Sequence, residues 1–313
     1  MNPLMQRMGE IGVVPVIRLE SPRKGVGLGH ALVKGGIPVA EVTFRTSAAE
    51  EAIRVMTAEV PDLLVGAGTV LTKEQAAVAI AAGAKFIVSP SFVEEVVDYC
   101  LERGVPVLPG VVNPDGVAKG IGRGLEVLKF FPAGASGGTA MLDAFAGPFG
   151  AVKFVPTGGI DTGNLANYAR RSNVLAIGGS WMVRPEMVEA ENWQEIERQC
   201  REAVAALHGF SFAHIGINAA DEAGCRTMVG LLEQLFNFTP RETSSSIFAG
   251  DRIEITRNPG PGEKGHIAIR CNQMERAVAY LAGAGIGTRP GHSAKAVYLD
   301  MEMGGFVFHL VRA

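Results

Sequence analysis

The sequence predicts an α/β protein: a (β/α)8 TIM barrel followed by a smaller α+β domain. Three observations carry this expectation. Short apolar runs alternate with longer amphipathic stretches eight times in roughly the first 200 residues, the pattern of a closed parallel barrel. The apolar runs are β-branched and scarcely alternate with polar residues, as parallel strands covered on both faces should read. Beyond His208 the order changes to strand, helix and two extended runs, and that order then recurs, an internal repeat.

In chain order, strands are expected at 13–18, 39–44, 63–66, 85–89, 106–109, 127–131, 153–157 and 174–178. Helical spacing fills the intervals, as at 48–60, 73–82, 92–103 and 164–169, and a helix rich in Glu, Arg and Ala at 192–207 closes the region. A doubly wound open sheet is the alternative that periodicity alone leaves open. After a short linker at 208–210, a strand is expected at 212–218, a helix at 221–236 and two extended runs within 244–256. The repeat then gives a strand at 266–270, a helix at 273–284 and strands at 296–301 and 306–311, so the residues read as two βαββ-like halves. The expected domains are 1–207 and 208–313.

Composition narrows the function classes. A chain of 313 residues with 47% hydrophobic and 19% charged residues can bury a large core and is not disordered. Lys and Arg number 29 against 32 Asp and Glu, a net charge of −3, which leaves no electrostatic footprint for nucleic acid or an anionic membrane. No apolar run of about 18 residues predicts a membrane span, and the first ten residues lack the apolar core of a signal peptide. Cys100, Cys200, Cys225 and Cys271 lie far apart with no C-x-x-C pair, which points to buried, reduced thiols in a cytoplasmic protein.

Barrel chemistry sits at the C-terminal ends of the strands, so the strand-end residues are the candidates. Lys129 stands in Val-Leu-Lys-Phe-Phe, a run that should turn it inward. Burial disfavours the ammonium form, and a neutral amine forms Schiff bases with ketones. Spacing alone weighs this evenly against a structural lysine paired to a barrel carboxylate. Lys153 competes but lies earlier on its strand, and Lys73 is a solvated helix residue. Glu41, in Val-Ala-Glu-Val, must be paired or protonated if buried, which suits either a proton shuttle or a buried ion pair with Arg45 or Lys129. Arg45 could grip a carboxylate with its planar fork, and Thr69 follows it with a hydroxyl on a glycine-flanked turn. Gly158-Gly159 and Gly178-Gly179-Ser180 follow the last two strands, where free backbone amides cradle phosphates.

These residues carry a resemblance. Residues 1–207 resemble the class I pyruvate-dependent aldolases of the 2-keto-3-deoxy-6-phosphogluconate (KDPG) and 2-keto-4-hydroxyglutarate (KHG) family. The matching motifs are Glu41-Val-Thr-Phe-Arg-Thr46, Val65-Gly-Ala-Gly-Thr-Val-Leu71, Lys129-Phe-Phe-Pro-Ala133, Pro156-Thr-Gly-Gly-Ile160 and Ile177-Gly-Gly-Ser-Trp181. The resemblance implies a homotrimeric barrel that acts on a small 2-oxo acid and needs no cofactor. It implies Lys129 as the Schiff-base lysine and Glu41 as the general acid/base, with Arg45 and Thr69 on the pyruvate carboxylate. Gly158, Gly159, Gly179 and Ser180 would hold phosphate, Pro90, Phe131 and Thr157 would line the pocket, and Arg18 would contact substrate. The departure is Gly134, where many members carry a glutamate.

Residues 211–313 resemble a domain of the vicinal-oxygen-chelate superfamily, which includes glyoxalase I and bleomycin-resistance proteins. The features are His214-Ile-Gly-Ile, Arg252-Ile-Glu-Ile, His266-Ile-Ala-Ile and Gly304-Gly-Phe-Val-Phe-His-Leu310. That resemblance implies paired βαβββ-type modules and places candidate metal ligands at His214, Glu254, His266 and His309. Such a set suits a divalent ion such as Zn²⁺, Ni²⁺, Fe²⁺ or Mn²⁺. His309 departs from the usual glutamate. His292 and Asp300 read as loop and surface residues. The leading function is cleavage of a 2-oxo acid by the barrel. The alternatives are metal-dependent lyase or isomerase chemistry in the second domain, or that domain as a non-catalytic effector-binding or assembly module.

Overall fold

A computed structural model describes residues 1–290 and 296–313. The chain divides into two compact units, Met1–Leu207 and His208–Ala313. The first unit runs α1 (Pro3–Ile11), β1 (Val13–Ile17), α2 (Lys24–Lys34), β2 (Val39–Thr43), α3 (Ala49–Glu59), β3 (Leu64–Gly68), α4 (Lys73–Ala81), β4 (Ile87–Val88) and α5 (Glu94–Glu102). It continues with β5 (Val107–Leu108), β6 (Gly110–Val111), α6 (Pro114–Gly122), β7 (Val127–Phe130), α7 (Gly138–Ala146), β8 (Lys153–Pro156), α8 (Leu165–Ala169), β9 (Ile177–Gly179), α9 (Pro185–Glu189) and α10 (Trp193–His208).

Local chemistry sets several of these boundaries. Thr72 and Asn113 cap α4 and α6 by accepting hydrogen bonds from the amides of Gln75 and Gly116, and Pro114 occupies the first turn, where its missing N–H is not needed. β5 and β6 are one path interrupted at Pro109, which has no amide proton to give a ladder. Its carbonyl still accepts the Lys129 amide at 3.0 Å.

Parallel pairing runs β5-β4-β3-β2-β1-β9 and β6-β7-β8. The bridges Phe154↔Val174 and Thr157↔Gly178 join the ends, so the sheet closes into a barrel and the open-sheet alternative is excluded. Phe86, Phe130, Phe154, Ile17 and Leu28 are fully buried in its core.

The second unit runs β10 (Ser211–Asn218), α11 (Glu222–Phe236), β11 (Pro240–Glu242), β12 (Ser246–Ala249), β13 (Ile253–Thr256), β14 (Gly265–Cys271), α12 (Met274–Gly283), β15 (Thr288–Pro290), β16 (Ala296–Met303) and β17 (Phe306–Arg312). Its eight strands form one sheet, ordered β11-β12-β13-β10-β14-β17-β16-β15. Each half is therefore βαβββ, and the βαββ reading of the residue pattern is corrected by one strand per half. β11 and β15 are three-residue, proline-containing edge strands, too short to print a period-two signal. Cys225 and Val229 of α11 pack on Ile247 and Ile255, while Met274 and Ala277 of α12 pack on Leu299 and Leu310. These two cores occupy one face of the sheet, the face that α11 and α12 cover.

All four cysteines are free and buried. Burial pushes the Cys100 and Cys200 thiols up to about 12 and Cys271 to about 11. No helix among the described residues is long and apolar enough to cross a membrane.

Candidate active site

β2 and β7 stand on opposite sides of the barrel ring. Alternation along each strand turns Glu41 and Lys129 inward, while Ala40, Val42, Leu128 and Phe130 pack outward against the helices. The two side chains meet across the interior, with Lys129 Nζ 3.2 Å from Glu41 Oε1. Lys129 is 5% exposed and Glu41 3%. Of the two partners the sequence offered Glu41, the structure selects Lys129. A buried ion pair is weak evidence for stability, because desolvation offsets most of its attraction. An inward-facing amine beside a carboxylate at the strand ends is evidence for chemistry. The Phe131 ring lies beneath the ammonium, 5.3 Å from Nζ to its centroid.

Gly68 fixes the position of Glu41. A Cβ at residue 68 would fall 2.2 Å from Glu41 Oε1 and 2.5 Å from its Cγ. Only glycine lets the carboxylate lie flat against β3. At Gly66, the register partner of Glu41, a Cβ would strike the Phe86 ring at 2.4 Å. Sequence reading passed over both glycines as position-setting residues, although a Gly-x-Gly inside a strand is the signal for close approach. We expect Gly68→Ala to fold and to lose roughly 10- to 100-fold in kcat, since sub-ångström displacement of a catalytic group costs that much. Steady-state kinetics beside a thermal melt checks this, and an unchanged kcat would remove the role given to Gly68.

The remaining candidates gather at the same end. Arg45 Nε donates to Thr69 Oγ1 at 3.1 Å, and Thr69 itself holds a left-handed backbone at φ 56°. Thr157 is buried at the end of β8, and a Cβ at Gly178 would meet its Oγ1 at 2.2 Å. Pro90 is half-buried, and its carbonyl sits where a side chain on Gly110 would be. Gly158 and Gly159 have φ of 95° and 74°, a region that favours glycine, so their amides are held in a turn after β8. The loop after β7 is tied to that turn: Ala133 N donates to Thr157 O and Gly134 N to Gly158 O. A Cβ on Gly134 would lie 3.3 Å from Gly158 O and 3.4 Å from Gly159 Cα, so glycine there eases the approach of the two loops. Gly179 lies flat under the Trp181 ring, next to exposed Ser180. Arg18 is exposed and ion-paired with Glu20 at 2.7 Å. Lys153 begins β8 and donates to the Ser172 carbonyl at 2.7 Å, at the far end of its strand from the Lys129 amine.

The second unit builds a separate cluster on its open sheet face. Glu254 Oε2 lies 3.1 Å from His214 Nε2 and 3.2 Å from His266 Nε2. The two Nε2 atoms are 3.3 Å apart. His214, His266 and His309 each offer a ring nitrogen within 4.8 Å of the others. His309 is 5% exposed, and neither of its ring nitrogens has a hydrogen-bond partner among the described residues. Burial, then the neighbouring His266 and His214, pushes His309 down to about 4. Burial alone would raise Glu254, but hydrogen bonds from His214, His266 and Ser246 outweigh it and hold the carboxylate well below its usual range. Both groups thus keep the forms that bind metal ions, neutral imidazole and carboxylate. Asp300 is exposed, as expected, and His292 lies outside the described residues.

Comparison with known proteins places the first unit. Residues 4–199 match the family model described as Aldolase: KDPG and KHG aldolase. A 2-dehydro-3-deoxy-phosphogluconate aldolase of Treponema pallidum is 47% identical over 196 residues, 63% of this chain and 93% of the relative. A KHG/KDPG aldolase of Escherichia coli K12 is 44% identical over 192 residues, 61% of this chain and 90% of the relative. The crystal structure of a Legionella pneumophila KDPG aldolase, with pyruvate captured at low pH as a covalent carbinolamine intermediate, superposes with a TM-score of 0.62. It is 39% identical and covers 64% of this chain and 97% of its own.

Proposed function

The chain belongs to the KDPG and KHG aldolase family, and we propose on that footing how its own residues divide the work. The first unit is a class I aldolase, a lyase that works through a Schiff base on a small 2-oxo acid and needs no metal. The observation that carries the residue roles is the buried contact of Lys129 Nζ with Glu41 Oε1. Passing a proton from Nζ to Glu41 leaves a neutral amine, which attacks the C2 ketone. Glu41 returns that proton to the departing carbinolamine oxygen, and water leaves. The iminium draws electrons from the C3–C4 bond as the C4 hydroxyl gives up its proton to the Glu41 carboxylate, which then holds the proton that C3 receives. The aldehyde departs, an enamine remains, and protonation at C3 followed by hydrolysis releases pyruvate.

Arg45 and Thr69, already joined to each other, are the donors for the substrate carboxylate. Arg18, Pro90, Phe131 and Thr157 complete the substrate contacts. The amides around Gly158, Gly159, Gly179 and Ser180 are the seat for a phosphate. With KDPG the aldehyde is glyceraldehyde 3-phosphate, and with KHG it is glyoxylate. The homotrimer belongs to the same reading. Borohydride reduction in the presence of pyruvate tests it: the expected peptide carries a reduced pyruvyl group on Lys129. A folded, unmodified chain would overturn the assignment.

A second reading concerns the other unit, and buried His309, whose ring nitrogens have no hydrogen-bond partner among the described residues, favours it. His214, Glu254, His266 and His309 form a donor set for one divalent ion, with borderline ions such as Zn²⁺, Ni²⁺ or Fe²⁺ suited to three imidazoles. A bound ion would supply Lewis acidity toward an oxygen of a small molecule, for lyase or isomerase chemistry. The same site could instead serve effector binding or assembly. Equilibrium dialysis should find about one ion per chain, with affinity falling about 100-fold or more in His309→Ala. Aldolase turnover should be indifferent to chelator. Equal binding by wild type and His309→Ala would end this reading.

A further inference from the structure

The open face of the second sheet carries more than four metal donors. In the first half, Arg241 on β11 pairs with Phe248 on β12, and Phe248 with Glu254 on β13. Glu254 pairs in turn with Gly216, and Gly216 with His266. In the second half, Arg289 on β15 pairs with Tyr298 on β16, and Tyr298 with His309 on β17. His309 pairs with Ala268, and Ala268 with His214. Each row reads, from edge to centre, arginine, aromatic, donor, small residue, histidine.

Directly paired residues share a face of a sheet. The ring contacts agree, since Phe248 lies 5.4 Å from His214 and Tyr298 5.1 Å from His309, centroid to centroid. The face is the one turned away from α11 and α12. The four donors come from β13, β10, β14 and β17, a stretch of three strand spacings or roughly 14 Å. Their side chains nevertheless converge to near contact, so the sheet curls toward them and its outer strands stand as walls.

Charge gives this cleft a preference. The Arg241 guanidinium lies over the Phe248 ring at 4.3 Å. Both arginines are exposed, and neither enters an ion pair among the described residues. Arg270, at one end of β14, adds a third cation to the same face. Glu254 is committed to the two histidines. Exposed Glu302 ends the row of Glu254 and His266 through Val307, and Asp300 falls in the irregular stretch between Tyr298 and Glu302; the three arginines outnumber these two carboxylates. A divalent ion held by three neutral imidazoles and one carboxylate keeps a net positive charge, which favours an anion over a neutral molecule. Guanidinium forks match carboxylates at both hydrogen bonds, and aromatic walls accept a flat body.

We propose that this cleft binds a small, flat organic carboxylate, with Arg241 and Arg289 as its charge partners on the two rims and Phe248 and Tyr298 as its walls. This inference rests on the metal-site reading above. Oxalate is the probe, added to the full chain loaded with Co²⁺, with acetate for comparison. The visible absorption of bound Co²⁺ reports on this unit alone, whatever the barrel does with small acids. Oxalate should shift that spectrum saturably and more tightly than acetate. Arg241→Gln and Arg289→Gln should each weaken oxalate tenfold or more while leaving Co²⁺ bound. A chain that takes up no Co²⁺ defeats the metal reading and this inference together. A chain whose Co²⁺ signal depends on His309 but ignores oxalate, or whose arginine variants respond like wild type, overturns this inference and leaves the metal site standing.

Discussion

Lys129→Ala should lose retro-aldol turnover by about 10⁴-fold or more, because the route through an iminium disappears with the amine. Other lysines are engaged elsewhere. Lys153 is held by the Ser172 carbonyl at the opposite end of its strand, and Lys119 and Lys24 are ion-paired on the surface with Glu94 and Glu189. The substitution also strands Glu41. A carboxylate left buried without its partner costs on the order of 3–5 kcal/mol if it stays ionised, so part of any drop in Tm belongs to Glu41 rather than to lost packing. The double variant Lys129→Met/Glu41→Gln separates the two, since it removes both charges and should recover stability but not activity. Pyruvate release, a thermal melt and borohydride trapping together decide the matter. Turnover within tenfold of wild type, or an adduct that moves to another lysine, would sink the assignment.

How far the sequence reaches is visible in particular elements. β1, β2, β7 and β8 begin where the apolar runs begin, because burial on both faces leaves an unbroken β-branched signal. β3 extends to Gly68, past its expected end, since Ala67 and Gly68 keep pairing with Val42 and Thr43 while offering no strand propensity to read. The last barrel strand meets β8 at Val174, its expected start, by an isolated bridge, and its continuous pairing with β1 runs Ile177–Gly179, one residue past its expected end. α2 carries three glycines that propensity counts against it. Its packing requires them: added Cβ atoms at Gly25, Gly27 and Gly29 would come within 3.0 Å of Met56, Trp193 and Val60.

The candidate site divides in the same way. That Lys129 and Glu41 point inward is a local fact of alternation, and the sequence carries it. That they touch each other depends on closing a ring of strands between them, which no local pattern encodes. In the second unit the histidines sit on strands long enough to be recognised. The two arginines do not, because β11 and β15 become strands only through their neighbours.

Glu41→Gln tests the other half of the pair and should lower kcat by about 10²- to 10⁴-fold, the usual worth of a positioned proton shuttle. Glutamine keeps the shape of the side chain and can still meet Lys129 Nζ, but it cannot accept the amine proton or return it to a leaving hydroxyl. Water can take the amine proton in place of Glu41. Attack on the ketone is therefore not the step that suffers most. Loss of water from the carbinolamine is, because that oxygen needs a proton delivered at the right place. Borohydride reduces the imine and not the carbinolamine, so trapping with pyruvate should still reach Lys129 but far more slowly, while a melt shows the barrel intact. Gly68→Ala moves the same carboxylate without neutralising it, so it should slow the same step by a smaller factor. If Glu41→Gln traps pyruvate and turns over within threefold of wild type, the proton path runs elsewhere, and the 3.2 Å contact is structural only.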